Sequence, residues 1–349
     1  MDFFNTLFGS SKNNAKEYFE LGMKCYKQGD NKTAIAHFTK SISLNSNSPS
    51  PFASRAMVHA AMRNFRAAIE DYSQALKRAP DWGEMYEARG RMYYAIDQFE
   101  LAKIDIEKAV ELAPNFPVAH YMKGVLSLQE NKIDEALQSF SRAIEIDPSY
   151  ANTHYRRGLI YFKKRDFGAA AIDFAKASQL EPDHWDALVH EGLCYARQRD
   201  FHKAIIFYNK IIHQKPDYPT AYSYRSFAQL RIGNEQGALS DIEQALILKP
   251  AEASYFANRG EIYLELKHFS EALSDFGKAV ELRPDYKFPM VGIAVTYHAL
   301  GNKEEANHYW QDLIKLDPRY SDMDWLQKEL NWADALVAEA RKLVAEKPE

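Results

Sequence analysis

An alanine that returns every 34 residues is the feature that most limits how this chain can fold. It recurs without an insertion at Ala34, Ala68, Ala102, Ala136, Ala170, Ala204, Ala238, Ala272 and Ala306. A small residue stands twelve residues before each alanine, a large apolar residue stands four after it, and in eight of the nine units a proline stands twelve after it. A strict period of this length is typical of repeat architectures, in which each unit packs only on its neighbours.

Each unit is predicted to be a pair of antiparallel helices. The small residue and the alanine allow the two helices to approach closely, and the large apolar residue fills the space between successive pairs. The proline ends the second helix, because its ring cannot continue the backbone hydrogen-bond ladder. Other prolines, such as Pro117 and Pro219, fall in the first turn of a first helix, where a missing N–H costs nothing. The array therefore replaces the two domains that a length of 349 residues alone suggests.

The fifth unit shows the full pattern, which reads His154, Gly158, Tyr161, Ala170, Phe174, Ala177 and Pro182. This pattern resembles the tetratricopeptide repeat family, and the resemblance covers residues 15–320. It implies an all-α fold: a right-handed superhelical α-solenoid of nine helix-turn-helix repeats plus a C-terminal capping helix. The repeats would start at residues 15, 49, 83, 117, 151, 185, 219, 253 and 287.

Five repeats share a second pattern, an arginine at position 7 and an aspartate sixteen residues later. The pairs are Arg55 with Asp71, Arg89 with Asp105, Arg157 with Asp173, Arg225 with Asp241, and Arg259 with Asp275. The four repeats that lack this arginine also lack the aspartate. We therefore expect a structural Arg–Asp pair that joins the two helices of a repeat.

Residues 1–14 form an apolar or flexible N-terminal segment. On a helix, Phe3, Phe4, Leu7 and Phe8 would share one apolar face. Two interpretations stay open: a flap or disordered end beside the first repeat, or a docking segment for a partner or a membrane surface.

Residues 321–349 are predicted to form a capping helix or helices. Leu336, Val337, Ala340, Leu343 and Val344 have the spacing of an amphipathic helix. The alternative is a helix that binds a partner. The stretch DPRYSDMDWLQKELNW resembles the tails of bacterial, particularly cyanobacterial, members of the family.

The sequence contains no motif for catalysis. It has no Gly-rich phosphate loop, no nucleophile elbow and no zinc-binding pair of histidines on a helix. With 44 basic and 48 acidic residues the net charge is −4, which argues against a nucleic-acid binder. We expect a cytoplasmic protein without enzyme activity, cofactor, metal or transmembrane segment.

The resemblance implies that first helices line a concave groove through positions 2, 5, 9, 12 and 13 of each repeat. In the middle repeats these positions are apolar or aromatic beside a basic row of Lys163, Arg197 and Arg231. The predicted partner-binding residues are Tyr121, Val125, Asn152, Tyr155, Leu159, Phe162, Lys163, Val189, Leu193, Arg197, Phe227 and Arg231. The alternative is that these side chains, above all those at position 12, only pack against a neighbouring first helix.

The partner expected from these residues is a protein that offers an apolar, partly acidic peptide or helix. Family members that grip the C-terminal carboxylate of heat-shock chaperones need a lysine at position 5. None of the nine position-5 residues is lysine, so that clamp is absent.

The predicted function is non-catalytic protein binding, as an adaptor or assembly factor for a multiprotein complex. A stoichiometric structural subunit or linker of a larger assembly, membrane-associated or photosynthetic, is the alternative, and an enzyme is a distant third. A location peripheral to a membrane complex and homo-oligomerisation also stay open.

Overall fold

The structure is a computed structural model that describes residues 2–322, 325–326 and 334–345, with side chains for residues 14–322, 325–326, 336–343 and 345. Helices and the short turns between them make up these residues, and none of them lies in a β-strand. The predicted all-α fold is therefore confirmed.

The helices follow one another in pairs. The first helices of the pairs are α1 Asp2–Lys27, α3 Pro49–Ala61, α5 Gly83–Ala95, α7 Pro117–Gln129, α9 Ala151–Lys163, α11 Trp185–Arg197, α13 Pro219–Arg231, α15 Ala253–Glu265 and α17 Lys287–Ala299. The second helices are α2 Asn31–Leu44, α4 Phe65–Arg78, α6 Phe99–Leu112, α8 Ile133–Ile146, α10 Phe167–Leu180, α12 Phe201–Gln214, α14 Glu235–Leu248, α16 Phe269–Leu282 and α18 Lys303–Leu316. A 3₁₀ turn, Pro318–Ser321, and helix α19, Asp334–Ala345, come after the last pair.

From the second pair onward, each first helix begins at a residue where a repeat is predicted to start. Helix α1 differs, because it begins at Asp2 and runs without a break into the first repeat. Residues 2–14 therefore belong to the same helix as that repeat. The side chains of Phe3, Phe4, Leu7 and Phe8 lie outside the described residues, and a docking role for them stays a prediction.

The chain divides into two compact units, Met1–Ile160 and Tyr161–Glu349, with the division near the end of α9. Close packing inside the helix pairs is the same in both. All nine repeat alanines are fully buried. In the first unit, a Cβ added to Gly124 would lie 2.7 Å from the Phe140 ring, and in the second a Cβ on Gly192 would lie 2.6 Å from Tyr208. The small residue is required because the large apolar residue of the facing helix occupies that space.

The turns within the pairs share one backbone conformation. In each of the nine turns one residue has a positive φ, and six of these residues are not glycine: Arg63, Asp97, Asn131, Arg165, Arg199 and Lys267. The left-handed conformation costs a residue with a Cβ about 1 kcal/mol or more. The packing of the two helices offsets this strain, since the turn places the second helix against the first in the same way in every repeat.

Four of the five predicted Arg–Asp pairs are in bidentate contact, with N–O distances of 2.6–2.9 Å. These are Arg55–Asp71 and Arg89–Asp105 in the first unit, and Arg225–Asp241 and Arg259–Asp275 in the second. Arg157 and Asp173 belong to different units, and their pairing stays a prediction.

Three of these four arginines also reach the preceding repeat, which the sequence pattern did not predict. Arg55 donates from Nη1 to Thr39 Oγ1 at 2.9 Å, and Arg225 donates to Asn209 Oδ1 at 2.6 Å. Arg89 does the same to Ser73 at 3.0 Å. Each acceptor stands at position 25 of the preceding repeat. The arginine therefore connects neighbouring repeats as well as the two helices of its own.

Helix α19 covers the end of the last pair. Leu336, Val337, Ala340 and Leu343 are buried in one cluster with side chains of α17 and α18, among them Trp310. Glu339 of α19 also lies 2.7 Å from Nδ1 of His298 on α17. The helix thus shields apolar surface that a further repeat would otherwise cover.

Candidate functional site

In the first unit, the predicted binding residues lie on α7 and α9. Asn152 is exposed, whereas Tyr121, Val125, Tyr155 and Leu159 are half-buried. The Tyr121 ring meets Phe140 at 5.7 Å and Tyr150 at 5.2 Å between centroids. Tyr121 and Val125 also pack against the cluster around Ile160. These side chains contribute to packing and keep part of their surface open.

In the second unit, the predicted residues lie at the end of α9 and on α11 and α13. Phe162, Leu193 and Phe227 are half-buried, and Lys163 and Arg197 are exposed. Aromatic contacts set the two phenylalanines in place. Phe162 meets Phe167 edge-on at 5.3 Å, and Phe227 meets Phe201 edge-on at 6.2 Å. Half-buried apolar side chains and exposed cations therefore occur together on α9 and α11.

The prediction that Val189 lines the groove is wrong. Val189 is 3% exposed and belongs to a core cluster with Leu188, Ala204 and Ala221. Position 5 is equally buried in the later repeats, at Ser223 and Val291. The physical reason is that this position faces the neighbouring helices of the array rather than solvent.

The basic row is also shorter than predicted, because Arg231 is not an exposed cation. Its side chain is 8% exposed, and Nη2 lies 2.9 Å from Glu261 Oε1. The guanidinium stacks over the Phe227 ring at 4.4 Å. Glu261 stands in the next repeat, so reading each repeat by itself could not reveal this pair.

Lys163 and Arg197 differ from Arg231 in having no ion pair among the described residues. Protein atoms around the Arg197 guanidinium desolvate it and lower its pKa, and the positive charge of Arg165 adds to this effect. A cation that is desolvated and near a like charge gains from an added anion. This part of the face is therefore suited to an acidic group flanked by apolar ones.

Two buried glutamates stand outside the predicted binding residues. Burial raises the pKa of Glu87 to about 7 against the opposing effect of Arg91 in the first unit. In the second unit, burial raises the pKa of Glu191 to about 7, opposed by the charges of Lys210 and Lys203. Glu191 occupies position 7, where other repeats have arginine, which is the signal that could have identified it.

No arrangement for metal or membrane-spanning roles appears in the described part of the chain. None of its His, Cys, Asp and Glu side chains form a group of three or more that could hold a metal ion. None of its helices is long and apolar enough to cross a membrane.

Family models match the chain along most of its length. Models described as TPR repeat and tetratricopeptide repeat match residues 53–115, 126–164, 155–219, 253–286 and 290–320, together more than half of the chain. No curated protein matches it.

Solved structures with similar folds are distant in sequence. PilF of Pseudomonas aeruginosa is 17% identical, with a TM-score of 0.56 over 62% of this chain and 99% of PilF. A tetratricopeptide repeat protein of Parabacteroides merdae is 17% identical, with a TM-score of 0.53 over 71% of this chain and 98% of that one. At such identities the likeness shows the fold alone. The repeat pattern, the paired helices and the matching models agree, and the chain belongs to the tetratricopeptide repeat family.

Proposed function

We propose that this chain is a non-catalytic protein-interaction scaffold, an adaptor or assembly factor that holds an apolar, partly acidic segment of a partner. The binding face proposed in the second unit is made by Phe162, Lys163, Leu193, Arg197 and Phe227. The observation that carries the proposal is a pair of exposed cations, Lys163 and Arg197, beside half-buried aromatic and aliphatic side chains. Neither cation has an ion pair within the part of the chain that the structure describes.

Such a combination has the chemistry of a protein interface. Aromatic and arginine side chains dominate binding energy at interfaces. Each contributes most where the partner excludes water from it. An acidic residue of the partner placed at Arg197 would pair with a cation that has no ion pair among the described residues. Apolar residues on either side of that acid would cover Leu193 and Phe227. The proposed ligand is thus a short segment with one or two acids between apolar anchors.

Tyr121, Val125, Asn152, Tyr155 and Leu159 offer a second stretch of the same kind in the first unit. It contains no lysine or arginine, and its side chains are mostly half-buried. We propose that it adds apolar contact area to partner binding. The Tyr155→Ala variant should bind the partner more weakly, but its binding should still depend on the charges of Lys163 and Arg197.

Affinity purification of the full chain identifies the partner, and titration of that partner against variants tests the face. The double variant Lys163→Glu, Arg197→Glu is expected to weaken binding about tenfold or more, because it places like charges against the partner's acids. Lys77→Glu serves as the control, because it reverses an exposed charge on α4 that is in no ion pair with another described residue. Equal binding by both variants would contradict the proposed face. A tight one-to-one complex that persists in every preparation would favour the structural-subunit alternative.

A further inference from the structure

The outer side of two second helices in the second unit carries an exposed apolar pair. Ile172 on α10 is 72% exposed and Ile206 on α12 is 65% exposed. They stand 34 residues apart, at the same position of successive repeats, and therefore project from the same side of their helix pairs. This face is made of second helices, so it is separate from the first-helix face proposed for the partner.

Helices α10 and α12 both pack against α11, the first helix that stands between them in the chain. Ile172 and Ile206 consequently belong to one surface rather than to two isolated positions.

Charge on this surface has one sign. Lys176, Lys203 and Lys210 lie on α10 and α12, and none has an ion pair among the described residues. Lys203 lies over the Tyr195 ring at 4.0 Å, and Lys176 is bonded only to the neutral Gln179.

Neither helix has an acidic residue on its exposed side. Helix α12 has no acid, and Asp173, the one acid of α10, is buried. Exposed acids stand only beyond the helix ends. Asp166 and Asp200 there accept backbone N–H groups as N-caps, and Glu181 and Asp183 follow α10.

Several other second helices pair a cation with an acid on the same helix. Lys108 and Arg142 in the first unit contact Glu111 and Glu145 at 2.8 and 3.0 Å. Lys278 in the second unit contacts Glu281 at 2.8 Å. Lys77 on α4 also has no ion pair among the described residues, but α4 carries the exposed acid Glu70, whereas α10 and α12 carry no exposed acid.

We infer that the outer face of α10 and α12 rests on an anionic lipid bilayer, with Ile172 and Ile206 in the interface and Lys176, Lys203 and Lys210 against the headgroups. Isoleucines that project from a surface need no complementary pocket in a bilayer. The cations are all lysines, whose point charges and flexible stems suit mobile headgroups, whereas arginine is preferred for fixed carboxylates. Neither helix contains an arginine. Each lysine near an anionic membrane contributes a similar amount to the free energy of membrane binding.

Sedimentation of the full chain with vesicles tests the inference. Vesicles of phosphatidylcholine alone are compared with vesicles that also contain phosphatidylserine. We expect binding to the anionic vesicles only. Lys176→Gln, Lys203→Gln, Lys210→Gln together should lower the partition coefficient by a factor on the order of 100. Ile172→Ser and Ile206→Ser should each lower it about tenfold.

The matched control is Ile104→Ser on α6 in the first unit. Ile104 holds the same repeat position and is 61% exposed, but Glu100 and Glu107 lie one turn to either side, so its loss should leave vesicle binding unchanged. A variant without residues 2–9 should also keep its binding. Loss of binding in that variant alone, or equal binding by neutral and anionic vesicles, would overturn the inference. So would isoleucine variants that lose a protein partner while binding vesicles like the unaltered chain.

Discussion

The role of a single residue in this protein depends on which side chains the neighbouring repeat places beside it. Arg231 has a carboxylate within reach because Glu261 stands in the next repeat, and it becomes a buried structural residue. Arg197, one repeat earlier at the same position, has no such carboxylate and stays exposed. The same side chain type therefore has a packing role in one repeat and a proposed binding role in the adjacent one.

Glu191 provides a prediction for pH dependence. Its pKa is raised to about 7 by burial, above the 4.5 expected of an unfolded chain. Between these two values the folded state holds a proton that the unfolded state releases, so this residue's contribution to stability falls as pH rises. Glu191→Gln removes the effect and should be more stable than the unaltered chain by roughly 2 kcal/mol at pH 8, with little difference at pH 5. Thermal melting at both pH values measures this.

Glu181→Gln is the control for that experiment, because Glu181 is exposed in the same unit. Its Tm difference should not change with pH. If Glu191→Gln shifts the Tm equally at pH 5 and pH 8, the carboxyl is charged in the fold across this range and the prediction is wrong.

At the scale of the helices, the positions of most elements follow from the repeat. Proline and the 34-residue phase determine where helices begin and end, because both act through the local backbone. Burial on the first helices was predicted less well. The family resemblance implied that Val189 lines the groove with Leu193, yet Val189 packs against the next pair. The packing between neighbouring pairs, not the period of one helix, decides which residues stay exposed.

The arginine at position 7 links three helices, and this can be measured in the second unit. Arg225 contacts Asp241 through two bonds and Asn209 of the preceding repeat through a third. A double-mutant cycle of Arg225→Met and Asp241→Asn should give a coupling free energy of about 1–3 kcal/mol, because the ion pair is largely buried. The cycle is read from urea unfolding.

Arg225→Lys should recover only part of that coupling, since an ammonium cannot make both parallel bonds. Lys123→Met is the matched control, because repeat four has Ser139 in place of the aspartate. A coupling near zero for Arg225 and Asp241, or an equal cost for Lys123→Met, would show that the geometry adds no stability.

For the molecule as a whole, the repeats form a series of local contacts, and the apolar surface at the end of the series must be covered. Repeats that contact only their neighbours leave the last pair with an uncovered apolar side. In the second unit that side includes Val291, Val295 and Trp310, and α19 covers it with Leu336 and Leu343. The terminal helix is therefore expected to act on stability near the end of the array rather than throughout it.

Truncation after Asp322 tests this expectation. It removes α19 and exposes the apolar cluster of α17 and α18, so hydrogen exchange should quicken at the amides of α15 to α18. Burial of two leucines and a valine is worth several kcal/mol, or about 1.5–3 kcal/mol per side chain, which is enough to open these helices locally. Amides of α3 to α6 in the first unit should exchange at their original rates. His298→Ala, which removes only the contact with Glu339, is expected to give a smaller change in the same helices. Unchanged exchange in α17 after truncation would show that α19 is not a cap, and would favour the alternative of a helix that binds a partner.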